Sequence, residues 1–412
     1  MVATYRAAVI ADSHFFDAPS GRFAECIHVH DFIAQDIAQR NVDAILHSGD
    51  IFERKSSPTE RDAVAQWLQA LAEIAPVLVV RGNHDVPLDL AIFGRLEGKH
   101  PITVEEAVGV HGLRGVVVGA VAWPTKASVL ATLAAAEGVA QQDSDRIAAD
   151  ALRNVLRWVG NEMDIGVEQA GGDVPKILLM HAMVRGSRVS SGQPLVGCDL
   201  ELGIEDLSLA RADFIALGHI HLPQEWTVQS GTCNAPVVYP GSPRRTSFGE
   251  TESKGYIIAD FEGSKCMRWE RIATPCAPMF LIEDQWGVDP ENNPEGARSW
   301  VVGWHGAPER SALVGAEVRF RYYVPSDMRA EARVAAAVQE AKLRDMGAID
   351  VKVEEVVQST ATARAPEVAL ARTLTDKLMA YWRARQTEPV PPRDAALLGK
   401  ARDLEGKCDS TG

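Results

Sequence analysis

The chain has 412 residues, too many for one ordinary domain at about 150 residues each, and its 46% hydrophobic and 24% charged content is that of a folded globular protein able to bury a sizeable core. A formal net charge of −14 excludes generic electrostatic attraction to a polyanion, so nucleic acid could bind only through local cations or a partner. Six cysteines, Cys26, Cys198, Cys233, Cys266, Cys276 and Cys408, lie far apart with no CxxC pair, which argues against structural zinc or a disulfide framework and for a reducing compartment.

The opening MVATYRAAVIADSH is unlike a secretory signal, and no stretch approaches about 18 apolar residues, so a soluble, cytoplasmic protein is expected. From there a single pattern recurs: a short apolar run stops abruptly at a residue able to bind metal. Arg6 to Ala11 precedes Asp12, Asp43 to His47 precedes Asp50, Val77 to Arg81 precedes Asn83, Lys176 to Met180 precedes His181, and Asp213 to Leu217 precedes His219. Such runs read as strands buried on both faces. Between them, Phe23, Ile27, Ala34 and Ile37 share a helical face, and Pro58 to Ile74 carries Ala63, Trp67, Leu71 and Ile74 at similar spacing. Strand alternating with helix predicts an α/β layered fold. Ligands in open α/β sheets gather beyond the carboxyl ends of strands, so polar residues placed there five times predict one shared site.

Near residue 275 the pattern changes. Glu283 to Leu313, with Trp286, Trp300 and Trp304, reads as a linker or insertion rich in Pro and Gly. Glu317 to Val324 reads as a strand, Asp327 to Asp345 as a helix and Ile349 to Val357 as a strand. From Pro366 to Arg385 the residues Ala371, Leu374, Leu378 and Trp382 line one helical face, Pro389, Pro391 and Pro392 break it, and a short helix follows around Asp394 to Leu404. Three segments result: 1–275, a small α+β domain over 276–360, and C-terminal helices over 361–412.

The candidate chemistry lies in ADSH (Asp12, His14), SGDIF (Asp50), RGNHD (Asn83, His84, Asp85), LLMH (His181) and GHIH (His219, His221). Residues two apart at a strand end point to one side, so each D-x-H or H-x-H pair can face one small volume. Two cations about 3.5–4 Å apart need a bridging carboxylate, a role that suits Asp50. Imidazole, carboxylate and amide donors without thiolate suit Mn, Fe or a catalytic Zn pair.

In this arrangement the sequence resembles the calcineurin-like metallophosphoesterases, whose motifs it matches as D-x-H, GD, GNHD, H and GHxH. The stretches ADFIALGHIHLPQ and VVYPGSPRRTSFGE narrow the resemblance to the SbcD-type nucleases of double-strand-break repair. That resemblance implies a metallophosphoesterase sandwich with a small cap domain and C-terminal helices. It also implies two divalent metals, foremost Mn²⁺, one on Asp12, His14, Asp50 and His221 and the other on Asp50, Asn83, His181 and His219. His84, oriented by Asp85, would act on the phosphoryl group or leaving oxygen. The implied activity is a 3′ to 5′ double-strand exonuclease and single-strand endonuclease, cytoplasmic and nucleoid-associated. Its implied partners are DNA and an SbcC-type coiled-coil ATPase, with two copies of the chain in a heterotetramer; the ATPase would dock around Leu374, Leu378 and Trp382. No GxxxxGK[ST] loop occurs, so any ATP dependence would come from that partner. One departure is Glu53, standing where archaeal and eukaryotic relatives carry a histidine.

Arg185, Arg188, Arg244 and Arg245 flank the motifs and are candidates for holding DNA phosphates. His28, His30, His100, His111 and His305 lack motif context and read as surface or packing residues, while His47 can support the neighbouring turn. The competing function is a phosphodiesterase or phosphatase acting on small substrates, which needs neither cap nor C-terminal helix.

Overall fold

A computed structural model describes residues 4–17, 22–125, 141–190, 193, 200–230, 233–288, 298–301, 310–358, 368, 371, 373–384 and 393–409. The chain divides into two units, Met1–Ile282 with Ala307–Arg319 and Lys342–Lys352, and Glu283–Gly306 with Phe320–Ala341 and Val353–Gly412.

Two six-stranded sheets form the first unit. In the first, β1 (Thr4–Ile10), β2 (Ala44–His47), β3 (Val77–Val80) and β4 (Ile102–Glu105) run parallel, and β13 (Gly255–Glu262) and β14 (Lys265–Ala273) extend it antiparallel beside β1. In the second, β6 (Val116–Val121), β7 (Lys176–His181), β10 (Phe214–Gly218) and β12 (Cys233–Tyr239) run parallel, with β5 (Val108–Leu113) and β11 (Gln224–Ser230) antiparallel at the edges. A short ribbon pairs β8 (Met183–Val184) with β9 (Glu201–Leu202).

The continuous apolar runs follow from this layering. Successive strand side chains point to opposite faces, so Ala7 and Val9 of β1 enter the core between the sheets, where Leu179 and Ala216 of the second sheet meet them. Ala8 and Ile10 enter the core under the helices instead. All four are fully buried, and burying one Val or Ile side chain contributes about 1.5–3 kcal/mol.

Helix α1 (Phe23–Ala38) covers the first sheet through Cys26, Val29, His30, Ile33 and Ile37. The expected residues Phe23, Ile27 and Ala34 pack against the same core partly buried, Ile37 is fully buried in it, and His30 joins this face, its Nδ1 2.7 Å from the Cys26 carbonyl. Burial holds this imidazole neutral, with its pKa pushed down to about 3. Helix α2 (Pro58–Ala72) begins in a capping box: the Glu60 N–H donates to Ser57 Oγ at 3.2 Å and the Ser57 N–H to Glu60 Oε2 at 2.6 Å. The outer face of the second sheet is covered by α3 (Gln141–Gln169), a helix that the strand-and-helix pattern of the sequence does not place, through Ala148, Leu152, Leu156, Val159 and Met163. The result is the expected α/β layered sandwich.

Most residues of a four-stranded sheet fall in the second unit; its order is β16-β15-β17-β18, where β15 is Met279–Val288, β16 Arg298–Val301, β17 Glu317–Pro325 and β18 Asp350–Gln358. The supposed linker Glu283 to Leu313 is therefore partly sheet: β15 and β16 pair antiparallel, with Trp286 opposite Trp300 and their rings 4.8 Å apart. Trp286 is buried and Trp300 half-buried in this strand pair; Trp304 and His305 lie outside the described residues. Helix α4 (Arg329–Asp345) follows β17. Helix α5 (Leu374–Ala384) packs on α6 (Arg393–Asp409). Within the expected docking face, Leu374 is exposed and Leu378 partly so, but Trp382 is 9% exposed. A side chain already buried in its own chain offers little to a partner, so Trp382 is removed from that face.

Candidate two-metal site

The ends of β1, β2, β3, β7 and β10 carry the motif residues to one place. The geometry that does so differs from the extended strand ends expected. Asp12, His14 and Asp50 have φ of 53°, 46° and 56°, and His219 has 104°, so the chain turns through left-handed conformations that cost about 1–3 kcal/mol each in non-glycine residues. Backbone bonds hold these turns in place. Asp12 N–H donates to the Gly49 carbonyl at 3.0 Å, His14 N–H to that of Asp50 at 3.1 Å and Phe15 N–H to that of Ile51 at 2.7 Å. His219 N–H donates to Asp12 Oδ1 at 2.8 Å and ties the two sheets' loops together. Gly82 is required by close approach, since a Cβ there would collide with the Asp50 carboxylate.

Asp85 has a different role from the one expected of it. Its buried carboxylate accepts the N–H groups of Asp50, Phe52 and Gly82 at 3.0, 2.9 and 2.9 Å and that of Ile51 at 3.3 Å. It folds the GD turn and does not orient His84. The His84 ring is oriented instead by the Glu53 carbonyl, 2.7 Å from Nδ1. A carbonyl can only accept, so Nδ1 carries the proton.

Three groups of donors meet in the cleft, one of them His14 with Glu53 and His84, and the other two bear on the expected pair of cations. Asp12, His14 and His221 offer one set of atoms lying within 4.8 Å of one another, and Asp50, His181 and His219 offer a second. Asn83 Oδ1 lies 2.9 Å from both His181 Nε2 and His219 Nδ1, and Asp50 Oδ2 lies 3.4 Å from His181 Nε2 and 3.8 Å from His14 Nε2. Asp50 thus stands between the groups.

This donor set fits divalent cations. Asp12 Oδ2 and His219 Nε2 are buried with no hydrogen-bond partner among the described residues, and the Nε2 atoms of His14 and His221 face each other at 2.9 Å. Orphaned acceptors and opposed imidazole nitrogens are costly unless a cation draws their lone pairs. The electrostatics agree. Burial pushes the Asp12 carboxyl up to about 6, against the pull of His181. Asp50 is also buried, yet the His181 imidazole holds it well below the carboxylate range, and Asp50 in turn outweighs burial to lift His181 to about 9. Burial and then His181 push His219 down to about 3. Two buried carboxylates share one favourable imidazolium, a negative excess that cations would neutralise.

The cleft, about 280 Å³, is lined by His14, Asp50, Glu53, His84, His219 and His221 among others. Several supporting residues carried no metal-binding signal. His181 Nδ1 lies 2.7 Å from the Ser48 carbonyl, and Gln193 donates to the His219 carbonyl at 2.7 Å while accepting the His221 N–H at 3.1 Å. His221 Nδ1 faces Thr246 Oγ1 at 3.3 Å, which donates to Glu250 at 3.1 Å, and Glu250 pairs with the fully buried Lys254 at 2.7 Å. Trp123 lies 4.7 Å from the His219 ring. It follows the apolar strand β6, so the strand-end pattern was present there, ending in an aromatic residue instead of a ligand. His47 Nε2 lies 2.8 Å from Ser13 Oγ behind the site.

The four arginines separate. Arg244 is buried, lines the cleft and donates from Nη2 to the His14 carbonyl at 2.8 Å. Arg245 spends its donors on the carbonyls of Glu250, Ala277 and Glu252 at 2.8, 3.2 and 3.0 Å, so it braces its loop and is withdrawn as a phosphate contact. Arg185 and Arg188 are not buried and lie outside the cleft lining.

A layered α/β fold with such a site defines a metal-dependent phosphoesterase, and the chain belongs to the calcineurin-like phosphoesterase family, whose profile matches residues 5–223 and so spans every motif residue. Among curated proteins it is similar to the D subunit of nuclease SbcCD from Bacillus subtilis (strain 168), 27% identical over 292 residues, which are 64% of this chain and 68% of that one. Among solved structures, a dimetal phosphatase from Danio rerio aligns at 13% identity and a TM-score of 0.42, covering 66% of this chain and 96% of its own. A Thermus thermophilus protein aligns at 14% identity and a TM-score of 0.36, covering 66% and 99%. Among the described residues no helix is long and apolar enough to cross a membrane.

Proposed function

We propose that this chain is a manganese-dependent DNA nuclease that degrades duplex ends in the 3′ to 5′ direction and cuts single strands internally. In this reading it works in double-strand-break repair, at the nucleoid, as two copies bound to an SbcC-like coiled-coil ATPase. The observation that carries the reading is the pair of donor groups on either side of Asp50, in a chain similar to a nuclease component over 292 residues.

Asp12, His14, Asp50 and His221 would hold one cation, and Asp50, Asn83, His181 and His219 the other. Bound cations supply Lewis-acid polarisation of the phosphoryl oxygens and of the attacking water. The chain's own residues do the rest. His84 keeps Nδ1 on the Glu53 carbonyl, so its Nε2 is the atom that can give a proton to the leaving sugar oxygen. Its pKa is raised: burial opposes the charged form, but the Asp50 carboxylate outweighs it. Arg244 adds a fixed cation to the cleft of a chain whose net charge is −14, and the ATPase supplies further positive surface. Leu374 and Leu378 support docking of that ATPase on α5.

The deciding assay places end-labelled duplex DNA beside a chromogenic phosphodiester, with manganese and with or without chelator. Shortening of the DNA that needs manganese and stops with chelator supports the reading. Turnover of the small diester over intact DNA contradicts it.

A further inference from the structure

The loops that leave β1 and β2 run side by side beyond the metal-ligand turns, joined by a parallel bridge between Phe15 and Phe52. Each then projects one further side chain outward. From the first loop this is Phe16, partly exposed and part of the cleft wall; from the second it is Arg54, exposed, with its guanidinium 4.5 Å from the centre of the Phe16 ring. The backbone on either side of Phe16 is fixed. Phe15 N–H donates to the Ile51 carbonyl at 2.7 Å, and Asp17 N–H donates to Oε1 of Glu60, the capping-box residue of α2, also at 2.7 Å. Glu60 Oε1 lies 3.9 Å from Arg54 as well, so one buried carboxylate holds both halves of the pair.

The Phe16 ring is thus set into a polar cleft, with its backbone pinned and a guanidinium over its face. Among the described residues Phe16 joins none of the three hydrophobic cores of the first unit. Flat aromatic and guanidinium faces are what unpaired nucleobases stack on, and such stacking is indifferent to base identity. We infer that Phe16, steadied by Arg54, is a stacking platform for the nucleobase next to the scissile phosphate, making this a site for unstacked nucleotides at strand ends and in single strands. The inference rests on the nuclease reading and adds the substrate feature that the cleft selects: a free base beside the phosphodiester. A base in continuous duplex is covered on both faces and cannot use the platform. Frayed ends and single strands can.

The test compares kcat/KM for a single-stranded oligonucleotide with that for the same oligonucleotide carrying an abasic sugar beside the cleaved linkage, in manganese. The wild type should prefer the base-bearing strand by about ten-fold, the scale of one base stacked on an aromatic ring. Phe16→Leu and Phe16→Ala should bring that ratio close to one, while Phe16→Trp should keep it. Because the readout is a ratio within each variant, a partly unfolded preparation lowers both rates and leaves the ratio intact. A wild-type ratio of one, or a ratio that survives in Phe16→Ala, overturns the platform and leaves the nuclease reading standing. A wild type that hydrolyses a chromogenic phosphodiester but neither oligonucleotide overturns both.

Discussion

The two sheets of the first unit contribute unequally to the site. The first brings Asp12, His14, Asp50, Asn83 and His84, including both carboxylates, whereas the second brings only imidazoles, His181, His219 and His221. Their supports differ accordingly. Around the carboxylates the chain is turned left-handed at Asp12, His14 and Asp50, and Asp85 collects four backbone N–H groups beneath the GD turn. Around the imidazoles single acceptors suffice, such as the Ser48 carbonyl for His181 and Thr246 for His221. A buried anion is costly unless it is surrounded by donors or cations, while an imidazole ring can be oriented by one partner. Both carboxylates thus lie on the first sheet's side, while His181, lifted against burial to about 9 by Asp50, and His219, itself at φ 104°, answer them from the second.

Removing the charge at its centre should have the largest effect. Asp50→Ala is expected to lower activity by about 10²- to 10⁴-fold, the scale of breaking a buried charge pair, read from initial rates on either substrate. His84→Ala should follow at about 10²- to 10³-fold, the contribution of a positioned general acid, with metal content unchanged; near-normal turnover would remove His84 from the reaction. Asp85→Ala should show its cost in stability, about 3 kcal/mol from stranded backbone donors, as a lower urea midpoint. A variant as stable as the wild type would mean that the GD turn does not depend on this carboxylate.

The smallest effect is expected away from both sheets. In the second unit Arg333 and Arg329 hold the Glu355 carboxyl at about 2, below its ordinary 4.5, with Tyr322 adding a hydrogen bond. A depressed folded pKa gives stability that is present above about 4.5 and lost as pH falls towards about 2. The difference in melting temperature between the wild type and Glu355→Gln should therefore be full at neutral pH and fade across that window. A constant difference would assign it to packing.

Much of the first unit was legible because buried parallel strands leave a plain trace, an apolar run such as Lys176 to Met180 with a polar stop at His181. The site was legible in its residues but not in its geometry. Left-handed turns at Asp12 and Asp50 are not coded by residue type, and Asp85, adjacent to His84 in sequence, bonds the backbone of the neighbouring loop. Gln193 and the Ser48 carbonyl act through positions that only the fold creates. In the second unit, Pro and Gly between β15 and β16 masked a hairpin whose tryptophans pair across it, and Trp382 showed a helical face without showing what covers it.

Counting cations on purified chain equilibrated with manganese, by mass spectrometry under native conditions or by elemental analysis, tests the two donor groups around Asp50 most directly. Two per chain in the wild type, one in His181→Ala and none in Asp50→Ala is the predicted series. Fewer than two in the wild type, or two retained by Asp50→Ala, would contradict it.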